Sequence, residues 1–464
     1  MVQHIYQVAG HRFALSYEQS LDQLFTPMLK MAYLPFEVKE DDKKKGSLLF
    51  SMTIENKSYS LPADYQEEAR QEEEGQVIQS GVITSEGKKV FIYQWGDVKN
   101  SHDAKDDAIV VASPDYQEAT LYVNMEASYA KASFDSSMMM LYALASATHD
   151  TLLFHASTIV WCKKAYLFLG TSGTGKSTHT SLWLKHIKGA LLLNDDNPVV
   201  RISPNGKPMV CGSPWSGKTP CYKNETYPIG GLVKLRQYPK NQIRPLSTLE
   251  AYSVILSSVS GKRWEEKVHD GLHATTEAII KGSKLYQLDC LPDEAAARLS
   301  WQTLTGGDPI YEMERLIAEG RSVIFPVKGN SMLPFIIGGR DKVEFHPIKD
   351  TIRLGDVVMA WVKEGYPVVH RVVGIGNPTK LNPPKESERQ ENTWLLLSGD
   401  GNLGFVEHCR LNDIIARGEF VVDSQGNRKP LRSDKALHRW RVWRNLRPVR
   451  RPLLKLYKIF KNIK

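Results

Sequence analysis

The sequence predicts an α/β phosphate-binding core with a strand-rich N-terminal part, followed by an all-β domain and a basic amphipathic helical tail. Three observations carry that prediction. A glycine-rich loop at Gly170–Ser177 stands between an apolar strand pattern and a helical one. A β-branched stretch runs from Val323 to about Val422, interrupted by the polar insert Asn377 to Thr393. Residues 433–464 gather eleven Lys and Arg against one Asp.

A chain of 464 residues sets a prior of about three domains. Charged residues make up 24% and hydrophobic residues 42%, which excludes wholesale disorder. No run of 18 apolar residues predicts a transmembrane helix, and the start of the chain carries no signal-peptide pattern. The five cysteines are scattered without Cys-x-x-Cys spacing, so neither a disulfide framework nor a zinc site is expected. These features together describe a cytoplasmic protein. The net charge of +8 belongs to the tail and leaves the main body close to neutral. No specific nucleic-acid partner is expected for that body.

In the first part, residues 1–150, short β-branched and aromatic runs at His4 to Tyr17, Ser47 to Glu55, Lys88 to Trp95 and Ala108 to Val123 predict strands. The charged stretches Val38 to Gly46 and Tyr65 to Gly75 read as solvated loops. Met138, Leu141, Leu144 and Ala145 predict a helix over Ser133 to His149.

Residues 151–306 alternate strand, glycine loop, helix and strand. Gly170-Thr171-Ser172-Gly173-Thr174-Gly175-Lys176-Ser177 fits the phosphate-loop pattern in full, with Ala165 to Leu169 before it and a helix-like stretch to Ile187 after it. The glycines let backbone N–H groups converge on phosphate oxygens, Lys176 reaches the outer phosphates, and the Ser177 hydroxyl helps hold Mg²⁺. Leu191-Leu192-Leu193 then delivers Asn194-Asp195-Asp196 at a strand end, where one carboxylate can hold the cation and the other can accept a proton.

These pieces resemble the HPr kinase/phosphorylase and phosphoenolpyruvate carboxykinase-like P-loop proteins. The match rests on Phe154-His155-Ala156-Ser157, the loop from Tyr166 to Thr178, Leu193 to Asp196, Gly212 to Gly217 and Leu291 to Ala296. The resemblance implies a P-loop kinase core that uses ATP and Mg²⁺, bound by Gly170 to Thr178, to phosphorylate a hydroxyl on a protein, peptide or small molecule. It implies that His155 lies near the transferred phosphate and that Asp195 or Asp196 is base and metal ligand. Thr178 stands where the bifunctional HPr enzymes usually have Glu, which points to kinase rather than phosphorylase chemistry. Trp215 and Lys218 either face the acceptor or belong to an aromatic–proline turn packed on the core. His179 and Trp183 read as packing or surface residues.

Gly306-Gly307-Asp308-Pro309 marks a boundary, and a further domain spans residues 310–432. It places Ser331 at a tight turn, His370 inside an apolar strand and Asp400 in a glycine turn. A histidine between valines needs a hydrogen-bond partner if buried. The three residues suit a nucleophile, a base and an orienting acid. Gly329-Asn330-Ser331-Met332-Leu333-Pro334, Gly355-Asp356-Val357-Val358, Val369-His370-Arg371-Val372 and Gly399-Asp400-Gly401-Asn402 resemble the type I signal peptidases and the self-cleaving SOS-repressor proteases. By that resemblance Ser331 is the nucleophile, His370 the general base and Asp400 the supporting acid of a serine peptidase. Retention of the fold as a peptide-binding module is the alternative. Asp341 and Asp356 read as structural turn residues.

In the tail, residues 433–464, Leu453, Leu456, Tyr457, Phe460 and Ile463 share one helical face and lysines occupy much of the rest. Pro448 and Pro452 are expected to split it into two helices. An anionic membrane surface, a docking site on the protein itself and nucleic acid are the three partners considered, in that order. Homo-oligomerisation is left open. The whole reads as an enzyme of two activities, an ATP-dependent phosphotransferase and a Ser–His peptidase, with a ribosomally made peptide as a substrate that both would mature. The rival is a nucleotide-sensing regulator whose peptidase-like domain binds peptide or cleaves only itself.

Overall fold

The computed structural model of the chain describes residues 1–38, 46–73, 75–96, 107–217, 219–307, 309–362, 365–376, 393–402, 404–446 and 449–460. It divides into two compact units, one of Met1–Ile187 with Leu191–Ser300, the other of Lys188–Ala190 with Trp301–Lys464. The N-terminal strands thus share a unit with the phosphate loop, and the basic tail shares one with the all-β domain.

The first unit holds two sheets. One runs in the order Val2–Val8, His11–Tyr17, Phe50–Glu55, Glu118–Tyr122, Ala108–Ala112, Lys88–Trp95, Gln76–Ile83, Tyr65–Glu73. The last of these corrects the expected loop at Tyr65 to Gly75. Tyr65–Glu73 is an edge strand paired with Gln76–Ile83, and its charges suit an edge facing water. Most of the other expected loop, Val38 to Gly46, lies outside the described residues. The helix Ala130–Ser146 buries Phe134, Met138, Leu141 and Tyr142. These side chains share one core with Phe13 and Phe50 of the first sheet and with Leu167 and Leu232 of the second.

The second sheet runs Leu191–Asn194, Ala156–Trp161, Lys164–Leu169, Thr226–Gln237, Pro208–Cys211, Val199–Ile202, Thr151–Leu153, with Leu285–Cys290 added beside Thr226–Gln237. Lys164–Leu169 is parallel to Thr226–Gln237 and antiparallel to Ala156–Trp161, so the sheet is mixed. Lys164–Leu169 feeds the phosphate loop, and the helix Lys176–His186 follows.

The second unit contains a sheet ordered Val323–Pro326, Lys342–His346, Ile414–Val422, Val357–Trp361, Pro367–Gly376, Trp394–Ser398, Glu407–Arg410. Val358 pairs with His370, which places the imidazole at mid-strand. Two helices close the described chain, Asp434–Asn445 and Arg450–Phe460. Pro448 lies outside the described residues, and Pro452 sits inside the second helix rather than breaking it. A proline in a first turn forfeits no intrahelical donor, because those N–H groups have no partner there.

Two buried histidines of the first unit are held neutral. His179 is pushed down to about 4 by burial. It packs on Phe168 and bonds Ser300 Oγ at 3.0 Å. His11 falls to about 4 through burial, with Arg201 and His149 adding repulsion. A folded pKa below the unfolded value means that the stability is present above about pH 6.5 and lost as pH falls. Each histidine should therefore cost about 2 kcal/mol between pH 7 and pH 5. Urea unfolding followed across that range should show the loss, and His179→Gln should remove close to half of it. A slope untouched by that substitution contradicts the assignment.

Candidate active sites

The strand Lys164–Leu169 ends at a loop whose Gly170, Gly173 and Gly175 have φ of 156°, 76° and 99°. At Gly173 and Gly175 an L side chain would be strained, so glycine keeps the loop able to turn its backbone amides inward. A Cβ on Gly170 would lie 2.9 Å from Thr174 Cγ2. Thr174 in turn donates to Thr171 O at 2.6 Å, closing the loop on itself.

Lys176 opens the following helix and turns back beneath the loop, donating to Gly170 O at 2.8 Å and Thr171 O at 3.2 Å. Burial lowers its pKa below the ordinary lysine value, and Asp196 and Asp195 partly offset that. Its Nζ also lies 2.8 Å from His155 Nε2. An ammonium only donates, so Nε2 accepts and the ring proton resides on Nδ1. That nitrogen faces Asp196 Oδ1 at 3.1 Å. Lysine, imidazole and carboxylate thus form one chain, Lys176–His155–Asp196.

Asn194 shapes the acidic pair. Its Oδ1 accepts from the backbone N–H of Asp196 and Asn197, at 2.9 and 2.7 Å, bending the chain as the strand ends. Asp195 turns inward, where Oδ1 accepts from Ser157 Oγ at 2.9 Å and Oδ2 from Thr219 N at 3.2 Å. Asp196 and His155 face outward, their side chains 33% and 43% exposed, which leaves both open to an incoming group. Ser177 is half-buried and Thr178 exposed beside the loop.

Trp215 is settled as a packing residue. It is buried, donates from Nε1 to Tyr33 OH at 3.0 Å and lies against Tyr142. Its proposed partner at the acceptor, Lys218, lies outside the described residues. His179 and Trp183 both bond Ser300 Oγ in the core.

The loop and the acids together fit a magnesium–nucleotide. A cleft of about 670 Å³ opens beside Gly173, Gly175 and Thr178, walled by Leu182, Tyr238, Pro239 and Pro292. That apolar shelf is the size and chemistry a nucleoside needs. Among the described residues no three His, Cys, Asp or Glu converge as a complete metal cage. Magnesium on a phosphate chain needs only one or two carboxylates, and Asp195 and Asp196 would be the ones to hold it.

The second site is built on the strand Pro367–Gly376. Its His370 places Nε2 3.0 Å from Ser331 Oγ and Nδ1 2.9 Å from Glu407 Oε2. The His370 and Glu407 side chains are 6% and 4% exposed, so neither finds its partner in water. An ionised carboxylate only accepts, which puts the ring proton on Nδ1 and leaves Nε2 to take the serine proton.

Asp400 is not the imidazole's partner, which corrects the expected triad. It binds Arg371, the next residue along the strand, through contacts of 2.8 to 3.1 Å. Strand alternation explains the exchange. Arg371 pairs across the ladder with Ser398, the last residue of its strand, and Asp400 stands two residues beyond it in the turn that follows. Val372, on the side of His370, pairs with Leu397, which pairs with Glu407. Register therefore sorts Asp400 to Arg371 and Glu407 to His370. The burial of Glu407 and Cys409, alternating with exposed His408 and Arg410, is the period-two signal that marks Glu407 as inward. Asp341 and Asp356 cap turns, accepting from Ile337 N and Arg353 N.

The serine turn is held from two directions. A Cβ on Gly399 would come within 2.4 Å of Ser331 O, and Gly401 N donates to that oxygen at 2.7 Å. From the other direction come the tail helices. Leu454 packs on Leu333 and Ile337, Tyr457 OH donates to Pro334 O at 3.2 Å, and Trp443 Nε1 donates to Asp400 O at 2.8 Å. Arg371 lies between the rings of Phe335 and Trp440. The helical face expected to meet a membrane is thus used in part within the unit, through Tyr457. Ile463 lies outside the described residues. Beside Ser331 and His370 an apolar cleft of about 470 Å³ is lined by Phe325, Val327, Met359 and Val368.

No family model matches the chain, and no curated protein matches it. Among solved structures it is similar to the Hpr(Ser) kinase/phosphatase from Coxiella burnetii, at 15% identity over 36% of this chain and 99% of that one, with a TM-score of 0.20. At that score the alignment adds nothing to the geometry of either site. Among the described residues no helix is long and apolar enough to cross a membrane.

The two acids of the second unit should separate by stability. Asp400→Asn leaves the buried Arg371 guanidinium without its carboxylate and should cost about 3–5 kcal/mol. Glu407→Gln keeps an acceptor for Nδ1–H and should cost under about 1 kcal/mol. Urea denaturation measures both, and the reverse order contradicts the sorting by register.

Proposed function

We propose that the chain is an ATP-dependent phosphotransferase acting on a hydroxyl acceptor, and that its second unit is a serine hydrolase of peptide bonds. The observation that carries the first activity is the Lys176–His155–Asp196 chain at the mouth of the phosphate loop. The loop amides from Gly170 to Gly175 and the N-terminus of the helix Lys176–His186 favour phosphate oxygens. Lys176 steadies the outer phosphates, and His155 holds that ammonium in register with Asp196. Asp195 or Asp196 takes the acceptor's proton as its oxygen bonds to phosphorus, and the bond to the departing diphosphate breaks. Bound MgATP would supply the phosphoryl group and the divalent charge that offsets its oxygens.

The second activity is carried by Ser331–His370–Glu407. Ser331 Oγ attacks the peptide carbonyl as its proton passes to His370 Nε2. The carbon–nitrogen bond breaks and His370 returns the proton to the leaving amine. Water, deprotonated by the same nitrogen, then attacks the ester; the bond to Ser331 Oγ breaks, the acid leaves, and His370 Nε2 returns the proton to Ser331 Oγ. Glu407 keeps the ring proton on Nδ1 throughout, and the apolar cleft beside Ser331 suits an apolar side chain next to the cleaved bond. A peptide bearing both the acceptor hydroxyl and the cleaved bond would serve both units.

Incubation of the full chain with γ-³²P-ATP and a pool of hydroxyl-bearing peptides tests the first activity. Lys176→Ala and Asp196→Asn should each lower transfer at least about 100-fold, whereas Ser331→Ala should leave it unchanged. Nucleotide binding with no transfer by the wild type overturns the phosphotransferase and returns the regulator. A fluorophosphonate should label the wild type at Ser331 and leave Ser331→Ala unlabelled. Equal labelling of the two removes the nucleophile.

A further inference from the structure

The tail helices bury one set of side chains and expose another. Trp440, Arg450 and Leu454 are buried, whereas Val442, Leu446, Val449, Leu453 and Leu456 are exposed. The intervals between the exposed five alternate four and three, which concentrates bulky apolar surface in one short stretch of chain. Arg439, Arg441, Arg451 and Lys455 stand exposed among them, and among the described residues none of these four is in an ion pair. Asp434 is the one acid of residues 433–464. Apolar side chains held in water beside unneutralised cations call for a surface that offers hydrocarbon and negative charge together.

We propose that the exposed side chains of residues 439–446 and 449–456 form a docking surface for an anionic lipid bilayer, which they enter with Val442, Leu446, Val449, Leu453 and Leu456. A nucleic acid supplies phosphates for the cations but no hydrocarbon depth for five aliphatic side chains, so it explains half of the surface. This surface shares Leu453 and Leu456 with the face the sequence marks out, leaves out Tyr457 and adds Val442, Leu446 and Val449. Tyr457 is committed to Pro334 O and Leu454 to Leu333 and Ile337, so lipid contact and support of the serine turn use different side chains of the same helices. Docking therefore leaves the Ser331 turn supported and holds its unit at the bilayer. The proposal is independent of either catalytic reading.

Co-sedimentation of the full chain with vesicles of phosphatidylcholine alone, or mixed with phosphatidylserine, tests it. Wild type should bind the mixed vesicles at least about 10-fold more tightly than the neutral ones, with the difference shrinking at high salt. The double variant Val442→Asp with Leu456→Asp should lose at least about 10-fold in binding to mixed vesicles, as should Arg439→Glu with Lys455→Glu. All four positions are exposed, so an unchanged urea unfolding curve identifies variants that have kept the fold. Equal binding to both vesicle types overturns the proposal. So does full binding by a folded aspartate variant, or a preference for a single-stranded oligonucleotide that the aspartate variant retains.

Discussion

An imidazole clamped at both nitrogens is the interaction on which each site depends. His155 faces a carboxylate through Nδ1 and an ammonium through Nε2. His370 faces a carboxylate through Nδ1 and a hydroxyl through Nε2. In both, the carboxylate on Nδ1 leaves the second nitrogen as an acceptor, for the Lys176 ammonium in one and the Ser331 hydroxyl in the other. The same device serves two ends. Beside the phosphate loop it meets the Lys176 ammonium, and beside the serine turn it meets the Ser331 hydroxyl.

Buried charge explains why the second unit needs two carboxylates so close together. His370 and Arg371 are neighbours on one strand, and each projects a polar group into a dry layer on its own side of the sheet. Either group alone would be costly, and each is met by an acid, Asp400 from the turn after Trp394–Ser398 and Glu407 from the strand paired with Trp394–Ser398. Asp400 neutralises a structural guanidinium that the tail and Phe335 also enclose, and Glu407 is left to the imidazole. The tail's inward face is thereby tied to the serine turn through Leu454, Tyr457 and Trp443, which makes the two tail helices part of the unit's architecture.

Chemistry confined to a short stretch of chain was legible in the sequence. The phosphate loop, its flanking strand and helix, and the Asn194-Asp195-Asp196 strand end each announce themselves within a few residues. Ser331 and His370 were equally visible, because a serine at a glycine turn and a histidine between valines are unusual by themselves. Glu407 was harder, since its link to His370 runs through two cross-strand pairs and shows locally only as alternation with Cys409. The glycine turn around Asp400 is conspicuous in the sequence, but its acid meets Arg371 and not His370. The Tyr65–Glu73 strand escaped notice because the charges that protect a sheet edge look like those of a loop. The tail's inward side depended on Leu333 and Pro334, more than a hundred residues away, which no helical pattern records.

The claim that Glu407, and not Asp400, governs the base is tested most directly by the rate at which Ser331 is acylated by an activated ester, in the wild type and in Glu407→Gln. A glutamine accepts from Nδ1–H but cannot stabilise the imidazolium that forms as Ser331 gives up its proton. The account predicts a fall on the order of 10³–10⁴-fold with the fold intact. Acylation of Glu407→Gln at the wild-type rate would contradict it.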